Sequence, residues 1–191
     1  MGFAVADRLR LPLDAIVVRK LGVPWQPEVA FGAITTQTRV MDQQMIAQLG
    51  IPADDIEEIV AREQAEIERR EEFYRCGKPA PDVQNRTVVL VDDGLATGST
   101  MLAAIRDVRR LKPAKLIVAV PVGPAEACDR VRKEADEVVC LATPYLFFSV
   151  GEWYREFPQV TDGEVQHLLT ESRLQLQKHF GSTNLTTATT G

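Results

Sequence analysis

The sequence is poor in the residues that most often announce a site. It has two histidines, His167 and His179, three cysteines, and 2 Trp, 3 Tyr and 7 Phe among 191 residues. Cys76, Cys128 and Cys140 stand far apart and form no CxxC pair, and with so few histidines they make no zinc pattern. Three reduced thiols in a cytoplasmic protein are therefore expected. There is no basic excess: 22 Lys and Arg face 27 Asp and Glu, a net charge of −5, which weighs against a nucleic-acid binder. The N-terminus lacks the basic-then-apolar layout of a secretion signal, so the sequons at Asn85 and Asn184 read as coincidence. The longest apolar run, Leu116 to Val122, contains Pro121 and is far too short to cross a bilayer. No GxxxxGK[ST] loop and no Ser/His/Asp or Cys/His arrangement is present, which leaves a P-loop nucleotidase or a nucleophilic hydrolase without its central residues.

What remains suits one soluble domain with a sizeable core, since 45% of residues are hydrophobic and 26% charged. A chain of this length buries roughly 70% of its unfolded surface and needs no disulfide or metal staple. The domain should run over residues 1–180. The tail 181–191 (GSTNLTTATTG) has little to bury and should be disordered. Negative charge concentrates in residues 54–72, where nine acids meet three bases. The stretch predicts a surface helix with a thin apolar stripe of Ile56, Ile59, Val60, Ile67 and Tyr74, supported by Glu58–Arg62 and Glu66–Arg70 pairs.

Short β-branched runs predict parallel strands at Ala15–Val18, Thr87–Val91, Leu116–Val120 and Glu137–Leu141. Helical patterns lie between them at Phe3–Leu9, Ser99–Leu111 and Ala125–Lys133. This alternation predicts an α/β fold: a mostly parallel twisted sheet, Thr87–Val91 at its centre, with helices on both faces. Residues 22–50 are less regular and could hold a long loop and a β-hairpin.

The most informative segment is VVLVDDGLATGST, Val88 to Thr100. An apolar strand delivers Asp92 and Asp93, then a turn of small residues, then a helix. At the carboxyl edge of a parallel sheet such a turn binds ligands. Gly94, Ala96, Gly98 and Ser99 let backbone N–H groups approach an anion, the helix beginning near Ser99 adds its dipole, and Thr97, Ser99 and Thr100 add hydroxyls. Two carboxylates repel a phosphate, but they suit the hydroxyls of a sugar beside it, or a hydrated Mg²⁺. A plain polar turn, with Asp93 capping the helix, is the structural alternative.

This segment resembles the phosphoribosyl-diphosphate (PRPP) binding motif of type I phosphoribosyltransferases, departing from it at Gly94, where an aliphatic residue or Ser is commoner. VVRKLGVPWQPEVAFGAI (17–34), AVPVGP (119–124) and FFSVGEWYREFPQVTD (147–162) are similar to a bacterial branch of that superfamily, and the resemblance extends to about residue 170. It implies a phosphoribosyltransferase-like fold and transfer of the phosphoribosyl group of PRPP to a nitrogenous base, with release of diphosphate. It implies that Asp92 and Asp93 bind the ribose hydroxyls, and that Leu95, Ala96, Thr97, Gly98, Ser99 and Thr100 hold the 5-phosphate. Arg19 and Lys20, ending the strand Ala15–Val18, would face the diphosphate, and Mg²⁺ would be held mainly through that diphosphate. The loop after Lys20 would close over the reaction.

Six aromatics fall within 145–157, inside a candidate hood at 143–162: Tyr145, Phe147, Phe148, Trp153, Tyr154 and Phe157. They could stack the acceptor base or form a satellite core under a long loop. The resemblance also implies a strand and an Arg/Gly-rich diphosphate loop before Gly2, so a chain starting there should turn over PRPP poorly. A non-catalytic or regulatory PRPP- or nucleotide-binding module of the same fold is the rival reading. The expected partners are PRPP and a small heterocyclic acceptor, with no nucleic acid and no membrane, and the chain could form a homodimer.

Overall fold

The computed structural model describes residues 1–183, with side chains described to residue 179. In chain order the elements are α1 (Gly2–Leu9), β1 (Arg19–Val23), β2 (Gln26–Ile34), β3 (Arg39–Met41), α2 (Gln43–Leu49), α3 (Ala53–Arg75), β4 (Thr87–Val91), α4 (Ser99–Arg110), β5 (Lys115–Val122), α5 (Ala125–Arg132), β6 (Glu137–Ala142), a 3-10 turn at Gly151–Trp153, and α6 (Asp162–Thr183). Residues 181–183 thus continue α6, and the rest of the expected disordered tail lies outside the described residues. Among the described residues no helix is long and apolar enough to cross a membrane.

β4, β5 and β6 form a parallel sheet in that order, with Val88 opposite Leu116 and Val118 opposite Val138. The parallel α/β expectation holds, but the placement of Thr87–Val91 at the centre does not. β5 is central, flanked on both sides, and β4 is an edge strand among the described residues. Alternate side chains of β5, Leu116, Val118, Val120 and Val122, are buried. The first three share a core with Met101, Ile105 and Val108 of α4 and Ala127, Cys128 and Val131 of α5. That is the period of two expected of a strand, matched to the apolar stripe of two crossover helices.

A second sheet, antiparallel, orders β1-β2-β3. The β1–β2 hairpin is bulged on either side of Gly22. A Cβ there would lie 2.5 Å from the Pro27 carbonyl oxygen, so glycine is what lets the two backbones meet. β3 and α2 fill the rest of the segment expected to hold a long loop and a hairpin. Asp42 starts α2 by accepting from the Met45 N–H at 2.9 Å, and Gly50 ends it in the left-handed region. α3 carries Asp54 and Asp55 in its first turn and Arg75 in its last, matching the helix dipole. Its stripe buries Ile59, Val60 and Ile67 with Leu21, Phe31 and Ile34 of the hairpin. Glu66–Arg70 forms as expected at 2.6 Å; Arg62 pairs instead with Glu63.

Ala15–Val18, expected as a strand, joins neither sheet among the described residues. Val17 is buried in the core of the antiparallel sheet, whereas Ile16 packs against the core of the parallel one. The β-branched residues are therefore explained by a segment wedged between two cores. The strand starts at Arg19, just past the end of the expected run.

Candidate functional site

The carboxyl end of β4 meets the N-terminus of α4 through a turn whose start and end are both pinned. Leu95 N–H donates to the Val122 carbonyl at 2.9 Å, and Leu102 N–H to the Gly98 carbonyl at 2.9 Å. Leu95 is buried, and Ala96 and Thr97 are exposed. Gly98 has φ 81°, a left-handed value that favours glycine, and caps α4 without a side chain. The backbone N–H groups of Ala96, Thr97, Gly98 and Thr100 meet no acceptor among the described residues. The Thr97 and Ser99 hydroxyls lie 3.1 Å apart, and no acidic residue occupies the first turn of α4. The turn therefore collects unused donors at the positive end of a helix dipole, the physical requirement for holding an anion.

Asp92 and Asp93 precede the turn, half-buried. Burial, with the Asp93 charge beside it, pushes the Asp92 carboxyl up to about 6, while the Lys20 charge pulls the other way. The Asp93 backbone N–H donates to Asp92 Oδ1 at 2.9 Å. Burial also raises the Asp93 carboxyl. Two carboxyls displaced upward in adjacent positions cost the folded state stability at neutral pH, which marks the pair as a candidate functional site.

Arg19 and Lys20, expected to act together, are separated by the strand that carries them. Successive side chains of a strand point to opposite faces. Arg19 shares the face of buried Leu21 and Val23, and its Nε donates to Glu63 Oε2 at 2.7 Å; Lys20 is exposed on the other face, where its charge reaches Asp92. The structure thus brings Lys20, Asp92, Asp93 and the 95–100 turn together and ties Arg19 to α3. Glu63, the buried acid of that pair, was not singled out by the sequence, although strand alternation alone would have split Arg19 from Lys20.

Of the two readings of the aromatic segment, exposure speaks against the satellite core. Tyr145, Phe148, Trp153 and Phe157 are exposed, Tyr145 fully so, and therefore do not make a satellite core. Tyr154 instead struts the turn: its hydroxyl donates to the Asp93 carbonyl at 2.6 Å, and its ring lies 5.0 Å from that of Phe157. Val150 lies over the turn as well. A Cβ on Gly94 would sit 2.8 Å from Val150 Cγ1 and 3.0 Å from the Val122 carbonyl oxygen. Gly94, the departure from the usual motif, is the space that lets Val150 reach the turn. One further side chain escaped the sequence reading: Arg130 of α5, whose Nη2 donates to the Thr97 carbonyl. Hollows of about 460 Å³ at Glu68, Arg75 and Lys78 and about 170 Å³ between α1 and α6 include no residue of 92–100, a shelf whose Ala96 and Thr97 are exposed.

Residues 5–155 match the family described as "Phosphoribosyl transferase domain". A protein of Mycobacterium tuberculosis named "Putative phosphoribosyl transferase" is 45% identical over 166 residues, in both strain CDC 1551 and strain H37Rv. The match covers 86% of this chain and 38% of those relatives, so the chain spans about two fifths of their length. The crystal structure of TT1426 from Thermus thermophilus superposes with a TM-score of 0.70 at 38% identity, covering 88% of this chain and 80% of that one. The shelf at the end of β4 therefore lies within the matched region of a chain that belongs to the phosphoribosyl transferase domain family.

Proposed function

We propose that the chain binds PRPP on the 92–100 shelf and transfers its phosphoribosyl group to a nitrogenous heterocycle, releasing diphosphate. The observation that carries this reading is the pairing of two opposite chemistries in one turn. Unused backbone donors at the start of α4 suit a phosphate, and two half-buried carboxyls beside them suit hydroxyls, as a sugar phosphate requires. In this reading Leu95 to Thr100 hold the 5-phosphate, Asp92 and Asp93 accept from the ribose hydroxyls, and Lys20 faces the departing diphosphate.

No protein nucleophile is needed. As the C1–oxygen bond to diphosphate lengthens, positive charge grows on the sugar and negative charge on the leaving group. Asp92 and Asp93 hold the sugar in place, and Lys20 stabilises the charge on the departing oxygens. The acceptor nitrogen then attacks C1 from the opposite face. Tyr154, bonded to the Asp93 carbonyl, and exposed Phe157 against its ring offer flat surfaces beside the shelf for such a heterocycle. Among the described residues no group of three or more His, Cys, Asp or Glu side chains could hold a metal by itself. The two carboxyls fit Mg²⁺ only as partial, oxygen-rich support for an ion carried mainly by the diphosphate, where it would neutralise leaving-group charge.

Calorimetry tests the binding half. Replacing both Asp92 and Asp93 by Asn should weaken ribose 5-phosphate more than inorganic phosphate, because only the sugar offers hydroxyls; equal losses would refute the assignment. Diphosphate release from PRPP with Mg²⁺ and a panel of purines, pyrimidines and small amines tests the chemistry. One observation favours the rival, a non-catalytic PRPP- or nucleotide-binding module: with Arg19 tied to Glu63, one of two anticipated diphosphate cations is engaged elsewhere. Tight ribose 5-phosphate binding without diphosphate release would decide for that module.

A further inference from the structure

The 95–100 turn is held at its two ends by backbone bonds, but its tip, Ala96 and Thr97, is exposed and touches little. The tip is reached from outside by Arg130, which donates from Nη2 to the Thr97 carbonyl. Arg130 sits on the exposed side of α5, and among the described residues no carboxylate pairs with it. Its neighbour Asp129 is taken by Arg132 at 2.6 Å, and Glu134 by Arg106 at 2.6 Å. The same helix lies against Gly98, whose missing Cβ would be 3.5 Å from Val131 Cγ2 and 3.7 Å from the Ala127 carbonyl oxygen.

In a trans peptide the carbonyl and the following N–H point in opposite directions. No cis bond occurs among the described residues, so fixing the Thr97 carbonyl toward Arg130 fixes the Gly98 N–H away from it. That N–H is one of the donors without an acceptor, at a glycine whose backbone could otherwise adopt many orientations. We infer that Arg130 is a positioning residue of the turn, locking the Thr97–Gly98 peptide so that the Gly98 N–H is aimed at the 5-phosphate. The inference rests on the reading of residues 95–100 as the phosphate site. Arg130 need not touch the phosphate. Its role is to settle the orientation of a donor before the anion arrives, which removes an ordering cost from binding.

The experiment titrates inorganic phosphate and ribose 5-phosphate separately into the unmodified protein, R130M, R130K and K133M. Lys133 is exposed one residue past the same helix, so K133M removes one charge without touching the turn. R130M should weaken both ligands by the same factor, about five- to tenfold for one positioned hydrogen bond. R130K, which keeps a donor, should recover most of this, and K133M should stay within about twofold of the unmodified protein. The melting temperature of ligand-free R130M should be unchanged within about 2 °C, because the side chain is exposed. In amide NMR the Gly98 signal should be sharp in the unmodified protein and broadened in R130M, a change that general loosening elsewhere would not confine to this residue. Unmodified affinity in R130M, or equal weakening in R130M and K133M, overturns the inference while leaving the phosphate site standing. Failure of the unmodified protein to bind either ligand overturns both.

Discussion

Asp92→Asn should make the protein more stable while damaging its binding, and the gain should depend on pH. The Asp92 carboxyl is raised from its ordinary value to about 6, with burial the largest cause and the Asp93 charge next. In the unfolded chain the same group titrates near 3.9. Between those values the folded protein keeps a proton that the unfolded chain has lost, so stability falls as pH rises from about 4 to about 6 and stays lowered above that. A displacement of about 2 units corresponds to about 3 kcal/mol, and partial exposure of the carboxyl reduces this to about 1–3 kcal/mol. Asparagine has the shape of the protonated acid and cannot ionise, so it escapes the penalty. At pH 7.5 the variant should melt about 2–12 °C higher, at about 2–4 °C per kcal/mol for a domain of this size. At pH 4, where native Asp92 is already protonated, the gain should shrink to a small fraction of that. Calorimetric melting at both pH values, with urea unfolding as a check, measures it. A variant less stable than the unmodified protein at pH 7.5, or one equally stabilised at both pH values, would refute the desolvation argument.

Lys20→Met should change urea stability by less than about 0.5 kcal/mol, its charge being the smallest influence on Asp92, and weaken diphosphate binding measured by calorimetry, whereas Arg19→Met should cost about 1–2 kcal/mol in urea by depriving buried Glu63 of its closer partner. Gly94→Ala should destabilise by about 1–3 kcal/mol through overlap with Val150 and the Val122 carbonyl. Adding Val150→Ala should restore part of that loss in thermal melting, since two of the three close atoms are valine methyls. Tyr154→Phe removes the bond to the Asp93 carbonyl and should cost about 1 kcal/mol in urea together with a loss of ribose 5-phosphate affinity in calorimetry.

The parts of this fold legible in the sequence are those whose signal is local. Thr87–Val91, Ser99–Arg110 and Glu137–Ala142 lie within a residue of their expected bounds because apolar period and turn chemistry are written in consecutive residues. Sheet order is not written that way. Nothing inside Thr87–Val91 says whether one neighbour or two will pair with it, and Ala15–Val18 carries a strand's residues only because it is wedged between two cores. The site divides on the same line. The acidic pair and the small-residue turn could be read directly, whereas Glu63, Tyr154 and Arg130 reach Arg19, Asp93 and Thr97 from 44, 61 and 33 residues away. Gly94 shows how such a distant contact leaves a local trace. As a departure from the family's motif it looks like a weakness, since an aliphatic residue or Ser is expected there. In the fold it is the complement of Val150: the side chain missing from the turn has been replaced by one arriving from the aromatic segment. Where a motif loses a side chain without losing its geometry, the missing volume points to a partner elsewhere in the chain, and here that partner is Val150, in the segment proposed to face the acceptor.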